Sequence, residues 1–191
     1  MPKAVFGKLS PKEYISTALP RRARVEGLGT EILVLRHRKA SFDIDEFLSR
    51  PLMAHLATTA ENGARESPLW YVWEDQAVWL LAEVGYNSFH ERIQRDGRCA
   101  IGFVDFSPSA GRIQHLGMRG VARSEPWDDA RAMRFLRRYY RAYPGYREPP
   151  TRPGDVPITG RFPMIWVRFD PVTIVLKDQS FALSDTDSLK G

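Results

Sequence analysis

The chain has 191 residues, 43% apolar and 27% charged, with a formal net charge of +5. It is long enough for one domain with a core of its own, and its composition is that of an ordinary globular protein whose excess cations suit anionic partners. The single cysteine, Cys99, excludes an internal disulfide framework and a cysteine-rich metal site, and no run reaches the ~20 apolar residues of a membrane span.

Residues 1–40 read as an N-terminal extension, with basic clusters at Arg21–Arg24 and Arg36–Lys39 around a short apolar strand, Glu31–Leu35. Its first residues lack a signal-peptide core, so the expected compartment is the cytoplasm. A folded domain is expected over 41–180, followed by a polar tail over 181–191. Asp43 and Glu46 form a capping-box pair, Phe42 and Phe47 occupy the staple positions around it, and Pro51 stops the helix they start at Ile44. Leu52–Thr59 reads as a strand, Asn62-Gly63 as a hairpin turn whose residues tolerate positive φ, and Arg65–Trp73 as one return strand. After a second turn at Glu74–Gln76, Ala77–Ala82 is apolar without alternation, which predicts cover on both faces.

Ser88 and Glu91 form a second capping box, and Gly97 stands where a helix C-terminal glycine belongs. Strands are predicted over Arg98–Phe106 and Arg112–Arg123, and Gly117 and Gly120 inside the latter indicate a bulge or bend. Cys99 reads as a buried strand residue. Pro126 opens an amphipathic helix with Met133, Leu136, Tyr139, Tyr140 and Tyr143 on one face. Arg131, Arg134, Arg137, Arg138 and Arg141 lie on the other, read as a solvated face. A proline-rich loop, Glu148–Pro157, precedes two last strands, Phe162–Phe169 and Val172–Leu176, separated by Asp170-Pro171. The fold class is mostly β with attached helices (α+β), an antiparallel barrel joined mainly by hairpins.

Phosphate-loop, dinucleotide, HExxH and GxSxG motifs are absent, the four histidines are scattered, and no metal site is expected. What remains is a strand followed by a helix start. Arg65 to Trp73 offers a fixed cation and, at Pro68, a residue without an amide donor. Asn87 to Arg92 offers free amides, the Ser88 hydroxyl, His90 and Arg92, a combination suited to phosphate; ordinary capping is the alternative.

The order of these elements resembles the pyridoxamine 5′-phosphate oxidase-like, FMN-binding split-barrel superfamily over about residues 42–177. The matching stretches are Arg65-x-x-Pro68-Leu69-Trp70, Val78–Leu81, Ser88 onward, Arg95-Asp96-Gly97, Gln114–Ala122 and Val167–Pro171. The resemblance implies a split barrel that binds FMN at a homodimer interface. Arg65 would meet the phosphate, and Ser67, Pro68, Leu69 and Trp70 would run along the ring and ribityl chain. Ala82 and Glu83 would flank the ring, Ser88 and a nearby cation would close the phosphate clamp, and Gln114 would come from the partner subunit. The family carries Lys or Arg just after that serine; here Phe89 stands there, leaving His90 or Arg92 to supply the charge. Arg161 and Arg168 do not make the substrate-phosphate set of a true pyridoxamine phosphate oxidase. The expectation is an FMN-dependent oxidoreductase acting on a small molecule. The alternatives are a non-catalytic flavin or haem carrier and a deazaflavin-dependent reductase. A nucleic-acid-binding barrel ranks last, because no aromatic-interleaved basic strand is present.

Overall fold

In a computed structural model, the structure describes residues 22–23, 32–36, 40, 42–142 and 163–181. Most of the two basic clusters, Tyr143, the loop 148–157, Arg161, Phe162 and the tail from 182 lie outside the described residues. The elements are β1 (Arg22–Ala23), β2 (Ile32–Arg36), α1 (Ile44–Ser49), β3 (Ala54–Ala60), β4 (Gly63–Leu69), β5 (Tyr71–Glu74), β6 (Ala77–Glu83), α2 (Ser88–Arg95), β7 (Arg98–Ser107), β8 (Arg112–Glu125), α3 (Asp129–Ala142) and β9 (Met164–Asp178). One sheet runs β1-β2-β9-β8-β7-β3-β4, and β6 pairs with both β5 and β9. Every pairing is antiparallel except β2 with β9. The sheet curls around a core without closing, and among the described residues β4 pairs with β3 alone.

Local chemistry explains most element boundaries. The Glu46 amide donates to Asp43 Oδ1 at 2.9 Å, and the Phe42 and Phe47 rings meet at 4.9 Å, so cap and staple both form. The Glu46 carboxylate takes Arg50 at 3.3 Å instead of reaching back to the cap. Strand β6 is covered on both faces: Val78, Leu80 and Ala82 enter the barrel core, while Ala77 and Trp79 pack under α3 with Met133, Leu136 and Tyr139.

Several boundaries differ from the sequence expectation. The first hairpin pairs Ala60 with Gly63, so Glu61-Asn62 form the turn, and Gly63, at φ 112°, opens the return strand. The return strand breaks at Trp70 into β4 and β5, because the Trp70 ring leaves the sheet to stack on Tyr139 at 4.6 Å and 5°. At the β5–β6 turn Asp75 and Gln76 both have positive φ (52° and 56°), the geometry of a two-residue hairpin loop. The last two strands are one, β9, which passes Asp170-Pro171 with a register shift opposite Arg119/Gly120. A Cβ on Gly120 would stand 2.1 Å from the Asp170 carbonyl oxygen, so the bulge requires glycine there. Gly97 is needed for the same kind of reason: its Cβ would lie 2.5 Å from the Ala122 carbonyl oxygen. Helix α3 starts at Asp129, with the Asp128 carboxylate accepting the Arg131 amide at 3.1 Å.

In the N-terminal region, Ile32 and Val34 of β2 are buried in the barrel core, so this part of 1–40 is integral to the domain. No helix among the described residues is long and apolar enough to cross a membrane.

Candidate functional site

The register of the β3–β4 hairpin sets Arg65 opposite Thr58 and Ser67 opposite Leu56, so Arg65, Ser67 and Thr58 stand on one face of the ladder. Helix α2 runs past this face. The turn that launches it is built by Gly85, at φ 83°, and by Asn87, whose side chain accepts the Glu83 amide at 2.6 Å. Asn87 is thus the residue before the helix, and Ser88 its first member. The expected Ser88–Glu91 capping box does not form, and no side chain caps the helix. The Ser88 hydroxyl instead accepts from Arg92 Nη1 at 3.0 Å.

Arg92 is the centre of the cluster. Its Nε donates to Thr58 Oγ1 at 2.7 Å, and its Nη2 reaches Ser67 Oγ at 3.5 Å. One guanidinium therefore gathers three hydroxyls from β3, β4 and α2. Among the described residues no carboxylate lies within ion-pair distance of it. A cation among neutral hydroxyl groups at a helix start has the chemistry to receive an anion: the guanidinium supplies charge, and the hydroxyls can turn their protons toward a ligand oxygen.

Arg65 stands beside this cluster, exposed, and donates to Asn62 Oδ1 of its own hairpin at 2.8 Å. Pro68 lies opposite His55 on β4, which is an edge strand among the described residues, the kind of position where a missing N–H is tolerated. Leu69 packs against the core, and Trp70 belongs to the α3 cluster, so of that stretch the strand edge and the Ser67 hydroxyl are what face outward toward α2. Ala82 is buried in the core, and the Glu83 backbone serves the turn into α2.

Phe89, His90 and Gln114 are likewise not gathered here. Phe89 is buried in the core. His90 is 2% exposed and pairs its Nε2 with Ser124 Oγ at 2.9 Å, on the side of α2 facing β8. Their offsets of one and two residues from Ser88 rotate both away from the hydroxyl cluster, whereas Arg92, four residues on, returns to the Ser88 face. Gln114 points to the inner side of the sheet, where its amide oxygen accepts from Arg50 at 2.8 Å and its amide nitrogen donates to Asp178 at 3.1 Å. Arg50 and Arg112 both hold Asp105, at 2.7 and 2.9 Å, completing a network at the opposite end of the sheet from Arg92. Thr58 escaped the sequence reading because a turn at Asn62-Gly63 sets Ala60 opposite Arg65, and only the observed turn at Glu61-Asn62 sets Thr58 there.

Cys99 is the only thiol, and burial pushes its pKa up to about 12, so it carries no thiolate at neutral pH. Among the described residues no group of three or more His, Cys, Asp or Glu could hold a metal ion.

No family model matches the chain, and no curated protein is similar to it in sequence. Solved structures are similar in fold. A conserved hypothetical protein of Mycobacterium tuberculosis aligns with a TM-score of 0.58 at 16% identity, over 79% of this chain and 98% of that one. A FAD-binding protein of Mesorhizobium loti aligns at 0.50 and 12%, over 71% and 91%. General stress protein 26 of Bacillus anthracis aligns at 0.50 and 12%, over 72% and 95%. At these identities the likeness is one of architecture: the chain shares the mostly antiparallel, unclosed split-barrel fold of these proteins.

Proposed function

We propose that the chain is a flavin-binding oxidoreductase whose Arg92, Thr58, Ser67 and Ser88 receive the phosphate of FMN. The observation that carries this reading is the Arg92 guanidinium among three hydroxyls, with no carboxylate partner among the described residues. Arg65 adds a second cation on the same face of the hairpin. The outer edge of β4, which has no strand partner among the described residues, runs beside the cluster, and its backbone groups suit the hydrogen-bonding edge of a flat heteroaromatic ring. The shared fold with a FAD-binding protein supports a flavin. A bound flavin supplies hydride transfer between a donor and a small-molecule acceptor. The chain's own residues bind the phosphate, orient the ring and exclude water from one of its faces. In this reading two copies of the chain share the cofactor site.

The test is a visible-absorption titration with FMN on the wild type and on Arg92→Ala. A saturable two-band flavin spectrum is expected, with affinity weakened on the order of tenfold or more in the variant, as for loss of a charge-assisted phosphate contact. A colourless protein that ignores FMN overturns the proposal. Saturation by a deazaflavin coenzyme alone, or a Soret band with haem, moves the site to those cofactors.

A further inference from the structure

Strand β9 loses its alternation at Asp170. Its register pairs Arg119 with Thr173 and Gly120 with Pro171, so Val172 is the extra residue of the bulge and has no partner on β8. Three consecutive residues, Asp170, Pro171 and Val172, therefore line one cavity, which a regular strand would forbid. Val121 and Arg123 of β8, Arg168 of β9, Ile32 of β2 and Gln76 of the β5–β6 turn complete the lining. The cavity holds about 240 Å³. It sits over the β8–β9 pair, and β7 separates that pair from the β3–β4 hairpin that carries Thr58 and Ser67.

The polar part of the lining is two arginines joined by one carboxylate. Arg123 and Arg168 stand directly opposite each other in the β8–β9 register, a like-charge pairing that costs stability unless anions share it. Arg168 Nε donates to Asp170 Oδ1 at 2.8 Å, and Arg123 Nη1 donates to Asp170 Oδ2. Glu125, outside the lining, takes Arg123 Nε at 2.8 Å. Among the described residues no acceptor meets Arg168 Nη1 or Nη2, or Arg123 Nη2. The Arg168 side chain is only 16% exposed, and its guanidinium carbon lies 5.3 Å from the centroid of the Trp79 ring, on which Arg131 also stacks. A largely buried cation with unused donors calls for acceptors, and the cavity is the space in which they can stand. The other lining is apolar: Ile32 and Pro171 are buried, and Val121 and Val172 are exposed at the rim.

We propose that this cavity binds a small organic monocarboxylate with a compact apolar body. The ligand carboxylate takes the unused N–H groups of Arg168 and Arg123, whose planar forks match its two oxygens. The body lies against Ile32, Val121, Pro171 and Val172. Asp170 is the one carboxylate in the lining, and both its oxygens are already engaged by the arginines. Two guanidiniums against one carboxylate suit a ligand with a single negative charge and not the double charge of a phosphate. Volume sets the size: a cavity of ~150 Å³ takes benzene, so this one has room for a ring or branched chain together with its carboxylate. The site shares no residue with the Arg92 cluster and does not rest on the flavin reading.

The test is isothermal titration calorimetry of the full chain with benzoate and with isovalerate, for the wild type, Arg168→Met, Val172→Glu and Arg92→Ala, with near-UV circular dichroism confirming the fold of each. Arg168→Met keeps an apolar stem against Trp79 and removes the charge. Val172→Glu leaves both arginines in place and sets a negative charge at the exposed rim. Saturable binding of at least one of the two acids is expected for the wild type, weakened on the order of tenfold or more in Arg168→Met and in Val172→Glu and unchanged in Arg92→Ala. Benzyl alcohol, which lacks the charge, and inorganic phosphate, which lacks the body, are expected not to displace the bound acid. A wild type that binds neither acid, or affinity unchanged in folded Arg168→Met or Val172→Glu, overturns the site. Displacement by phosphate or by benzyl alcohol overturns the ligand class. FMN saturation is read separately by absorbance, so a chain that ignores FMN and binds the acid sinks the flavin reading and leaves this one standing.

Discussion

Ser88, Phe89, His90 and Arg92 show how one helical turn distributes roles that a linear motif runs together. A helix advances about 100° per residue, so Phe89 and His90 face the core and β8 while Arg92 shares the side of Ser88. Two variants separate these roles. Arg92→Ala is expected to weaken FMN while sparing the fold. His90→Ala is expected to leave FMN affinity within about twofold and to lower stability by about 1–3 kcal/mol, since it strands the Ser124 hydroxyl and opens a space against β8. Urea unfolding and FMN titration of both proteins check the separation; His90→Ala losing flavin at full stability would reverse the assignment. Gly120 gives a backbone counterpart. A Cβ there collides with the Asp170 carbonyl oxygen and the Phe169 ring, both held in the bulge. Gly120→Ala is expected to cost more than about 2 kcal/mol, seen as a lowered urea midpoint with an unchanged slope.

At the scale of elements, α3 shows where pattern reading stops. Its apolar stripe was legible from spacing, and Met133, Leu136, Tyr139 and Tyr140 are buried as that stripe requires. Its arginine face is not simply solvated. Arg131 stacks on Trp79, 3.4 Å from the ring centroid, and reaches Glu74 at 3.2 Å, while Arg134 holds the same carboxylate at 2.5 Å. Arg138 lies over the Tyr71 ring and donates to the carbonyl oxygens of Leu48 and Arg50, so it closes the C-terminus of α1. The arginines thus tie α3 to α1, β5 and β6, elements that only tertiary folding brings near. Tyr139 does the same from the apolar side, donating its hydroxyl to the Leu52 carbonyl and accepting the Tyr71 amide, both at 2.9 Å. Tyr139→Phe leaves these two backbone groups unpaired at the Trp70 break, and is expected to lower stability by about 2–3 kcal/mol in denaturant unfolding.

For the whole molecule, acid sensitivity follows from two groups of opposite type. Burial alone would raise the Glu74 pKa, but the bonds from Arg134 and Arg131 outweigh it and hold the carboxylate below its ordinary value. Its contribution is therefore present above that ordinary value and lost as pH falls through the folded one. His115, held below its ordinary value by burial and Lys177, resists protonation when folded, so its stabilising effect is present above 6.5 and erodes below it. Stability should decline first as pH falls below about 6.5 through His115 and again as it falls below about 4.5 through Glu74. Glu74→Gln should remove the lower step and His115→Gln the upper one, as followed by tryptophan fluorescence. The sequence by itself determined what depends on neighbours a few residues apart: the Asp43 cap, the doubly covered β6, the stripe of α3, and the order of elements that resembles a flavin-binding split barrel. Tertiary structure alone decided the joining of β9 across Pro171, the break at Trp70, the docking of Arg131 and Arg138, and the engagement of Gln114 with Arg50 and Asp178. It also decided that Arg92, and not His90, meets Ser67 and Thr58. The reason is physical: each of those outcomes is a choice among partners distant in the chain, settled by packing and hydrogen bonds worth about 1–3 kcal/mol apiece, and no local pattern encodes which distant partner arrives.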